Sequence, residues 1–356
     1  TVLSTYFRAW IVFIPVQIFL PRQWDVPGVI PYPGGFTLGW MLFLNLVTAH
    51  AVRFKWQWKR AGLILIHLGL LLLIVGEFVT AISAEENRMT IVEGGTVNYA
   101  TDIREVELAV VDRSAPDVDQ VVAIPGHRLA HDQVIRDPRL PFDVRVEAYY
   151  QNAELVEGVD RAGGAGQADM GYAASRAITL RPVPPASGTD RDRSDLPAAM
   201  VTLEKDGKRL GTWIVSLYLT LTDVPPQPVT VDGRTVDMAL RFKRVYKPYS
   251  MSLIDFRHDT YPGTETPMNY SSDVRLVDAA HGEDRQVRIY MNNPLRYRGE
   301  TFYQSSFLEG DTGTVLQVVR NPGWLLPYLA CAIGAFGLML HFGTRLMAFL
   351  RRRSAA

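Results

Sequence analysis

Four long apolar stretches alternate with polar segments along the chain and predict its membrane-embedded part. The stretches are approximately residues 2–20, 36–52, 61–82 and 324–350. Each is close to the roughly 20 residues that a helix needs to cross the hydrocarbon core of a bilayer. The first is the least regular, because it contains Arg8 and Pro15. The pattern therefore predicts about four transmembrane helices, three before residue 83 and one in the segment 322–356.

The pattern changes between residues 84 and 321, where short runs alternate apolar and polar positions or are rich in β-branched residues. About eleven such runs predict strands. Asp-Gly pairs at 206–207 and 232–233 lie between runs and predict hairpin turns. We therefore expect an α+β membrane protein with a large antiparallel sandwich or barrel-like domain between its third and fourth helices. The predicted strands are 89–92, 105–111, 144–150, 200–203, 212–221, 238–245, 251–256, 274–277, 287–290, 300–307 and 315–319.

One part of this domain differs from the rest. Residues 153–196 are poor in large apolar side chains and rich in Gly, Ala, Pro and Asp. Such a segment cannot bury much apolar surface, so it predicts a mobile insertion, with a candidate strand at 177–180.

Charge is segregated along the chain although the net charge is zero. Outside residues 84–321 ten Lys and Arg stand against two acidic residues, a net charge of +8, and the window itself carries the opposite charge. The loop RFKWQWKR and the basic chain end predict cytoplasmic segments, by the positive-inside rule. The domain 84–321 is then extracytoplasmic, both termini are cytoplasmic, and the location is the inner (plasma) membrane. No removed signal peptide and no nucleic-acid surface are expected.

His67 is a titratable residue inside the apolar run LILIHLGLLLLIVG. An ionisable side chain in such a place is by default a candidate functional site, and imidazole is the commonest metal ligand among side chains. His67 lies about 9 Å into the predicted helix from its cytoplasmic end. The alternative is an interhelical hydrogen bond with no ligand role.

His50 and His341 also lie near the cytoplasmic ends of predicted spans. Two axial imidazoles suffice for a six-coordinate haem, so both are candidate haem ligands beside His67. The alternative is that both side chains extend to the membrane interface, as neighbouring basic residues do.

Other chemistry finds no support in the sequence. Cys331 is the only cysteine, which excludes an intrachain disulfide, a CxxC redox motif and a CxxCH haem-attachment site. GxSxG, P-loop, GxGxxG and HExxH motifs are absent, so nothing indicates a hydrolase, a nucleotide-dependent enzyme or a catalytic zinc site. No metal beyond haem iron is expected.

Several segments resemble the ResB family of cytochrome c biogenesis proteins. DTYPGTETPMNYSSDVRL and VRIYMNNPLRYRGETFYQSSF, followed by a final span, carry the specific part of the resemblance. LFLNLVTAHAVRF and HLGLLLLIVGE are similar to the N-terminal part of proteins of that family.

The resemblance implies a haem-delivering cytochrome c synthase in which this chain is one half. A CcsA-type membrane partner supplies the other half, haem b is held transiently between the two, and apocytochrome c receives it. His67 matches the family's axial haem ligand in the third span, while the second ligand belongs to the partner. The chain is then not catalytic alone, and a separate thiol reductant keeps the apocytochrome cysteines reduced.

A second hypothesis makes the chain a structural or docking subunit of a membrane redox or photosynthetic complex, which binds no haem. A third, an extracytoplasmic sensor, leaves His67 without a role.

Overall fold

The computed structural model describes residues 9–21, 24, 27–53, 57–115, 118–158, 168–185, 194–263 and 267–354. They form two compact units. The first contains residues 1–86, 294–302 and 318–356, and the second contains residues 87–293 and 303–317.

Five α-helices and eighteen strands are present in the described residues. The helices are α1 Gly35–Arg53, α2 Ala61–Ser83, α3 Gly171–Ser175, α4 Leu217–Leu221 and α5 Leu326–Ser354. The strands are β1 Ile11–Pro15, β2 Val29–Pro33, β3 Glu85–Val92, β4 Thr96–Asp112, β5 Gln120–Pro125, β6 Val134–Ile135, β7 Asp143–Tyr150, β8 Ala153–Glu157, β9 Ile178–Pro182, β10 Ala198–Lys205, β11 Lys208–Ser216, β12 Gln227–Val231, β13 Arg234–Thr260, β14 Pro267–Asp278, β15 Glu283–Tyr290, β16 Leu295–Tyr297, β17 Glu300–Phe307 and β18 Gly313–Arg320.

Helices α1, α2 and α5 are long and apolar enough to cross a membrane. They coincide within a few residues with the second, third and fourth apolar stretches, so those three helices are confirmed. Helix α5 has Pro327 in its first turn, where a missing backbone N–H costs nothing because no intrahelical acceptor is available there.

The first apolar stretch does not form the expected helix in its described part. Residues 11–15 form β1, which pairs antiparallel with β2, and residues 16–19 form a short 3-10 helix. Pro15 explains the difference: it cannot donate the hydrogen bond that a helix interior needs, and the preceding run of β-branched residues favours a strand. Residues 2–8 of this stretch lie outside the described residues.

Helices α2 and α5 pack against each other through glycines. A Cβ atom on Gly62 would lie 2.6 Å from the backbone nitrogen of His341, and one on Gly69 would lie 2.7 Å from the carbonyl oxygen of Ala330. Gly337 of α5 meets the backbone of α2 in the same way, and a Cβ atom on Gly76 would lie 3.0 Å from the Cβ of Leu326. Because no side chain fits between the two backbones, this glycine seam is the close contact typical of membrane helices.

The second unit is built from antiparallel strands in two main sheets. The smaller has the order β11-β10-β7-β6. The larger has the order β15-β14-β13-β4-β3-β18-β17, with β5 beside β4 and β12 beside β13. A smaller ladder pairs β8 with β9, and β16 pairs with residues 300–302 of β17 in the first unit.

The main core of the second unit lies between these two sheets. Alternate residues of β4 and β13, such as Leu108 and Met238, are fully buried in the same cluster as Val201 of β10 and Val215 of β11. Two sheets that bury their facing side chains in one cluster make a sandwich, one of the two architectures expected from the sequence.

Both Asp-Gly hairpins are confirmed. Asp206 and Gly207 connect β10 to β11, and Asp232 and Gly233 connect β12 to β13. All four residues have φ between 48° and 76°, the conformation that two-residue hairpin turns require.

Two strand predictions need correction. The predicted strands 238–245 and 251–256 are parts of the single long strand β13, whose pairing shifts register between Tyr246 and Met251. Pro248 lies in that irregularity, so it interrupts a ladder without ending the strand. The predicted strand 212–221 ends at Ser216, where the Ser216 hydroxyl accepts a hydrogen bond from the backbone N–H of Tyr218 and caps α4.

The region 153–196 contains more packed structure than its composition suggested. Strands β8 and β9 pair over their full length, and Ala173 of α3 is buried with Ile178 and Leu180 in a second core cluster. Residues 159–167 and 186–193 lie outside the described residues, so the mobility of this insertion stays a prediction.

Candidate functional site

His67 lies on the side of α2 that faces away from the glycine seam. At 100° per residue it is about 140° round the helix from Gly62, whereas Phe78 is only about 20° from His67. The two sides of α2 therefore have separate partners. The glycines contact α5, and His67 and Phe78 contact α1.

His67 and His50 form a hydrogen-bonded pair between α2 and α1. The distance from Nδ1 of His67 to Nε2 of His50 is 3.1 Å, and the rings meet edge to face at 87° with centroids 4.7 Å apart. The Nδ1 atom of His50 lies 2.8 Å from the carbonyl oxygen of Leu46, one turn earlier in α1. Both imidazoles are half-buried. The structure thus brings together two of the three histidines singled out in the sequence.

His341 has a different environment. Its backbone packs on Gly62 in the glycine seam, and its ring contacts Phe342 edge to face at 5.5 Å. His341 therefore lies at the contact between α2 and α5, and neither of these two contacts involves His50 or His67.

An aromatic pocket occupies the other end of the contact between α1 and α2. Its volume is about 580 Å³. Phe78 of α2 stacks on Phe36 at 5.8 Å and lies 5.0 Å from Trp40, both on α1. Because Phe78 and His67 share one side of α2, the pocket and the histidine pair line the same helix contact, about 16 Å apart along the axis. The pocket is lined by Trp10, Phe36, Trp40, Phe43, Val75, Phe78, Val79, Ile82 and Ser83.

The available donors fit a haem iron better than a bare metal ion. No group of three or more His, Cys, Asp or Glu side chains that could hold a metal ion occurs among the described residues. A porphyrin supplies four nitrogens itself, so one protein imidazole together with one from a partner completes the coordination of iron. His67, on the surface of a helix pair with apolar and aromatic neighbours, matches that requirement.

The second unit carries a separate polar groove of about 920 Å³. Its floor is the face of β4 and β13 opposite the main core, where Ala109 pairs with Ala239. At one end the guanidinium of Arg244 lies 4.2 Å from the ring centre of Tyr99, which is 5.8 Å from that of Tyr246. Arginine and aromatic side chains of this kind are enriched at protein–protein interfaces.

Two other reactive side chains lie outside this groove. His131 is exposed in a turn and pairs with Asp132 at 3.4 Å. Cys331 is exposed on α5 as a free thiol.

Comparison with known proteins identifies the region that carries the family resemblance. Residues 227–315 match the model of the ResB-like family. This region is ResB-like. It extends from β12 into β18 and contains the two C-terminal motifs that carry the specific part of the resemblance, so the recognition of ResB is confirmed there.

Two curated relatives are similar to part of this chain. Protein NrfI of Wolinella succinogenes is 36% identical over 109 residues, which is 31% of this chain and 12% of NrfI. Cytochrome c biogenesis protein CcsB of Picosynechococcus is 33% identical over 102 residues, which is 29% of this chain and 21% of CcsB. The chain thus covers well under two thirds of either relative. The family model ends before α5 and begins after α2, so His67 rests on its own geometry.

Sequence reasoning found the three histidines but neither their pairing nor the aromatic pocket. The sequence does contain a signal for the histidine pair and for the pocket. When two consecutive helices run antiparallel, residues at equal distances from the loop between them lie side by side. Positions 50 and 67 are centred on the same point of the chain as positions 39 and 78, so both pairs are expected to face each other. The structure agrees with this pairing, because a Cβ atom on Gly39 would lie 3.2 Å from the ring of Phe78.

Proposed function

We propose that the protein is a cytochrome c biogenesis factor of the ResB type that holds haem b in the membrane through His67. The observation that carries the proposal is the position of His67. It lies on a membrane helix, away from the glycine seam, with Nδ1 bonded to a second imidazole. The ResB-like region and the similarity to the cytochrome c biogenesis protein CcsB support the biological setting.

In this proposal the chain is one half of a haem-delivering synthase. His67 would bind the haem iron from this chain, and a CcsA-type membrane partner would supply a second ligand. Haem bound in this way provides vinyl groups for thioether bonds to apocytochrome c. The chain's own residues bind and orient it and exclude water with the apolar surfaces of α1 and α2. The basic loop between those helices and the basic chain end lie in the cytoplasm, and the β sandwich lies outside.

The chain alone catalyses no attachment in this scheme. Reaction of the apocytochrome cysteines requires reduced, deprotonated thiols. Cys331 lies on a membrane helix as a single thiol, so a separate reductant keeps the apocytochrome reduced.

The test compares haem bound to the complex with and without His67. Full-length protein is co-expressed with the CcsA-type partner, purified in detergent, and its haem is quantified from the absorbance spectrum. His67→Ala should lose most of the bound haem, because one axial ligand is removed. His341→Ala is the matched control, because it is the same substitution on α5, at the other contact of α2. This variant should keep its bound haem. Equal haem in wild type and His67→Ala would refute the ligand role.

A docking role for the β sandwich is the second candidate function. The groove with Arg244, Tyr99 and Tyr246 favours it, because it offers charged and aromatic side chains in one open depression. If the chain is a docking subunit that binds no haem, Arg244→Ala should release the partner complex on purification while His67→Ala leaves it intact. The reverse pattern would favour haem binding.

A further inference from the structure

The direction of the hydrogen bonds at His50 fixes which nitrogen carries its hydrogen. The carbonyl oxygen of Leu46 can only accept, so Nδ1 of His50 at 2.8 Å must donate. A neutral imidazole has one N–H, and a charged one is costly between apolar helices. The Nε2 atom of His50 is therefore an acceptor.

The same reasoning extends to His67. Since Nε2 of His50 accepts, Nδ1 of His67 at 3.1 Å is the donor. The hydrogen of the neutral His67 ring is thus on Nδ1, and the lone pair is on Nε2. This is the tautomer in which Nε2 can coordinate iron. A metal-binding histidine usually donates a hydrogen bond from its other ring nitrogen, as His67 does here.

The pair also fixes the plane of the His67 ring. The two rings are nearly perpendicular at 87°, and His50 is itself held by the backbone of its own helix. Rotation of the His67 ring about its bond to Cβ would break the hydrogen bond between the rings. The acceptor on α1 therefore selects one orientation of Nε2 among those that the side chain could adopt.

We infer that His50 is a positioning residue for His67, and that it orients the ligand without itself binding iron. This inference rests on the proposed function, because it assigns a role relative to a haem held by His67. It differs from the ligand role that the sequence suggested for His50, since both nitrogens of His50 are occupied by Leu46 and His67.

The test replaces the His67 side chain by free imidazoles. In His67→Gly, purified with the CcsA-type partner and loaded with haem, imidazole and 1-methylimidazole are titrated and binding is followed by the shift of the haem Soret band. Both compounds can ligate iron, but only imidazole can donate a hydrogen bond to His50. 4-Methylimidazole, which keeps its N–H, controls for the size of the methyl group.

The expected result is a dependence on His50. With His50 present, imidazole should bind about 10- to 100-fold more tightly than 1-methylimidazole, the usual effect of such a second contact on a metal ligand. In the double variant His67→Gly/His50→Leu that preference should vanish. In His67→Gly/His50→Gln it should return in part, because the amide oxygen of Gln accepts a hydrogen bond.

Three outcomes would overturn the inference in distinguishable ways. An unchanged preference in the His50→Leu background would show that His50 does not receive the bond, while His67 remains the ligand. Failure of every imidazole to alter the haem spectrum would remove the ligand role of His67 and the inference with it. If His50→Leu alone empties the haem site as completely as His67→Ala, His50 is a ligand and not a positioning residue.

Discussion

Helix α2 has two contacts that differ in kind. On one side its backbone touches the backbone of α5 at Gly62 and Gly69, with no room for a side chain, and Gly76 packs on the Leu326 side chain. On the other side it meets α1 through large rings, a histidine pair and a pocket of about 580 Å³. One side is closed and leaves nothing to bind. The other leaves both space and polar atoms, which is why the proposed haem site lies on that side.

The largest expected effect comes from adding a large side chain to the closed side. Gly69→Leu should destabilise the protein by about 3 kcal/mol or more, because overpacking forces the two helix backbones apart. The thermal unfolding midpoint in detergent would measure this. A midpoint equal to that of wild type would show that the seam is not closed.

A matched pair of smaller substitutions sharpens this result. Gly69→Ala places its Cβ 2.7 Å from the Ala330 carbonyl oxygen, whereas a Cβ on Gly334 of α5 meets nothing within 4 Å. Glycine is about 1 kcal/mol less favourable than alanine inside a helix. Gly334→Ala should therefore raise the unfolding midpoint while Gly69→Ala lowers it. The same sign for both would contradict the geometry.

On the open side, loss of a ring should cost less. Phe78→Ala removes the ring pairs with Phe36 and Trp40, each worth about 0.5–1.5 kcal/mol. We expect a loss of about 1–3 kcal/mol in unfolding free energy, from denaturant titration in detergent. Leu70→Ala, on an exposed part of α2, is the control. A loss greater than that of Gly69→Leu would reverse the comparison.

A polar contact continues the closed side beyond its glycines. The Asn321 amide donates to Thr80 Oγ1 at 3.2 Å, and its Oδ1 accepts from the backbone N–H of Gly323 at 2.9 Å, just before α5. Asn321→Ala should cost about 1 kcal/mol, the usual value of a hydrogen bond. Thr80→Val should cost less, because the bond to Gly323 survives. Equal losses in unfolding free energy would mean that the link to Thr80 dominates.

The smallest effect is expected from adding volume to the open side. Val75 lines the pocket and is 38% exposed. Val75→Phe should change the unfolding free energy by no more than about 0.5 kcal/mol, as substitutions away from packed features do. A loss as large as that of Gly69→Leu, measured in the same assay, would show that the pocket is not available space.

Much of this arrangement was predictable from local patterns. The apolar runs gave α1, α2 and α5, and the Asp-Gly pairs gave both hairpins, because each depends on residues adjacent in sequence. The histidine pair depends on which sides of two helices meet, which periodicity along one helix does not determine. The course of residues 11–19 was missed because hydropathy alone ignores the missing N–H of Pro15, and the join within β13 was missed because Pro248 resembles a strand end.

The glycine seam also constrains the order of events during synthesis. Its two halves, α2 and α5, are separated in the chain by residues 84–325. At the roughly 5–20 residues per second of translation, about 10–50 s pass between completion of α2 and the appearance of α5. During that interval the side of α2 that carries the glycines has only lipid or α1 as a neighbour. His67 and His50 have both been synthesised by then. The histidine pair can therefore form before the contact between α2 and α5 closes behind it.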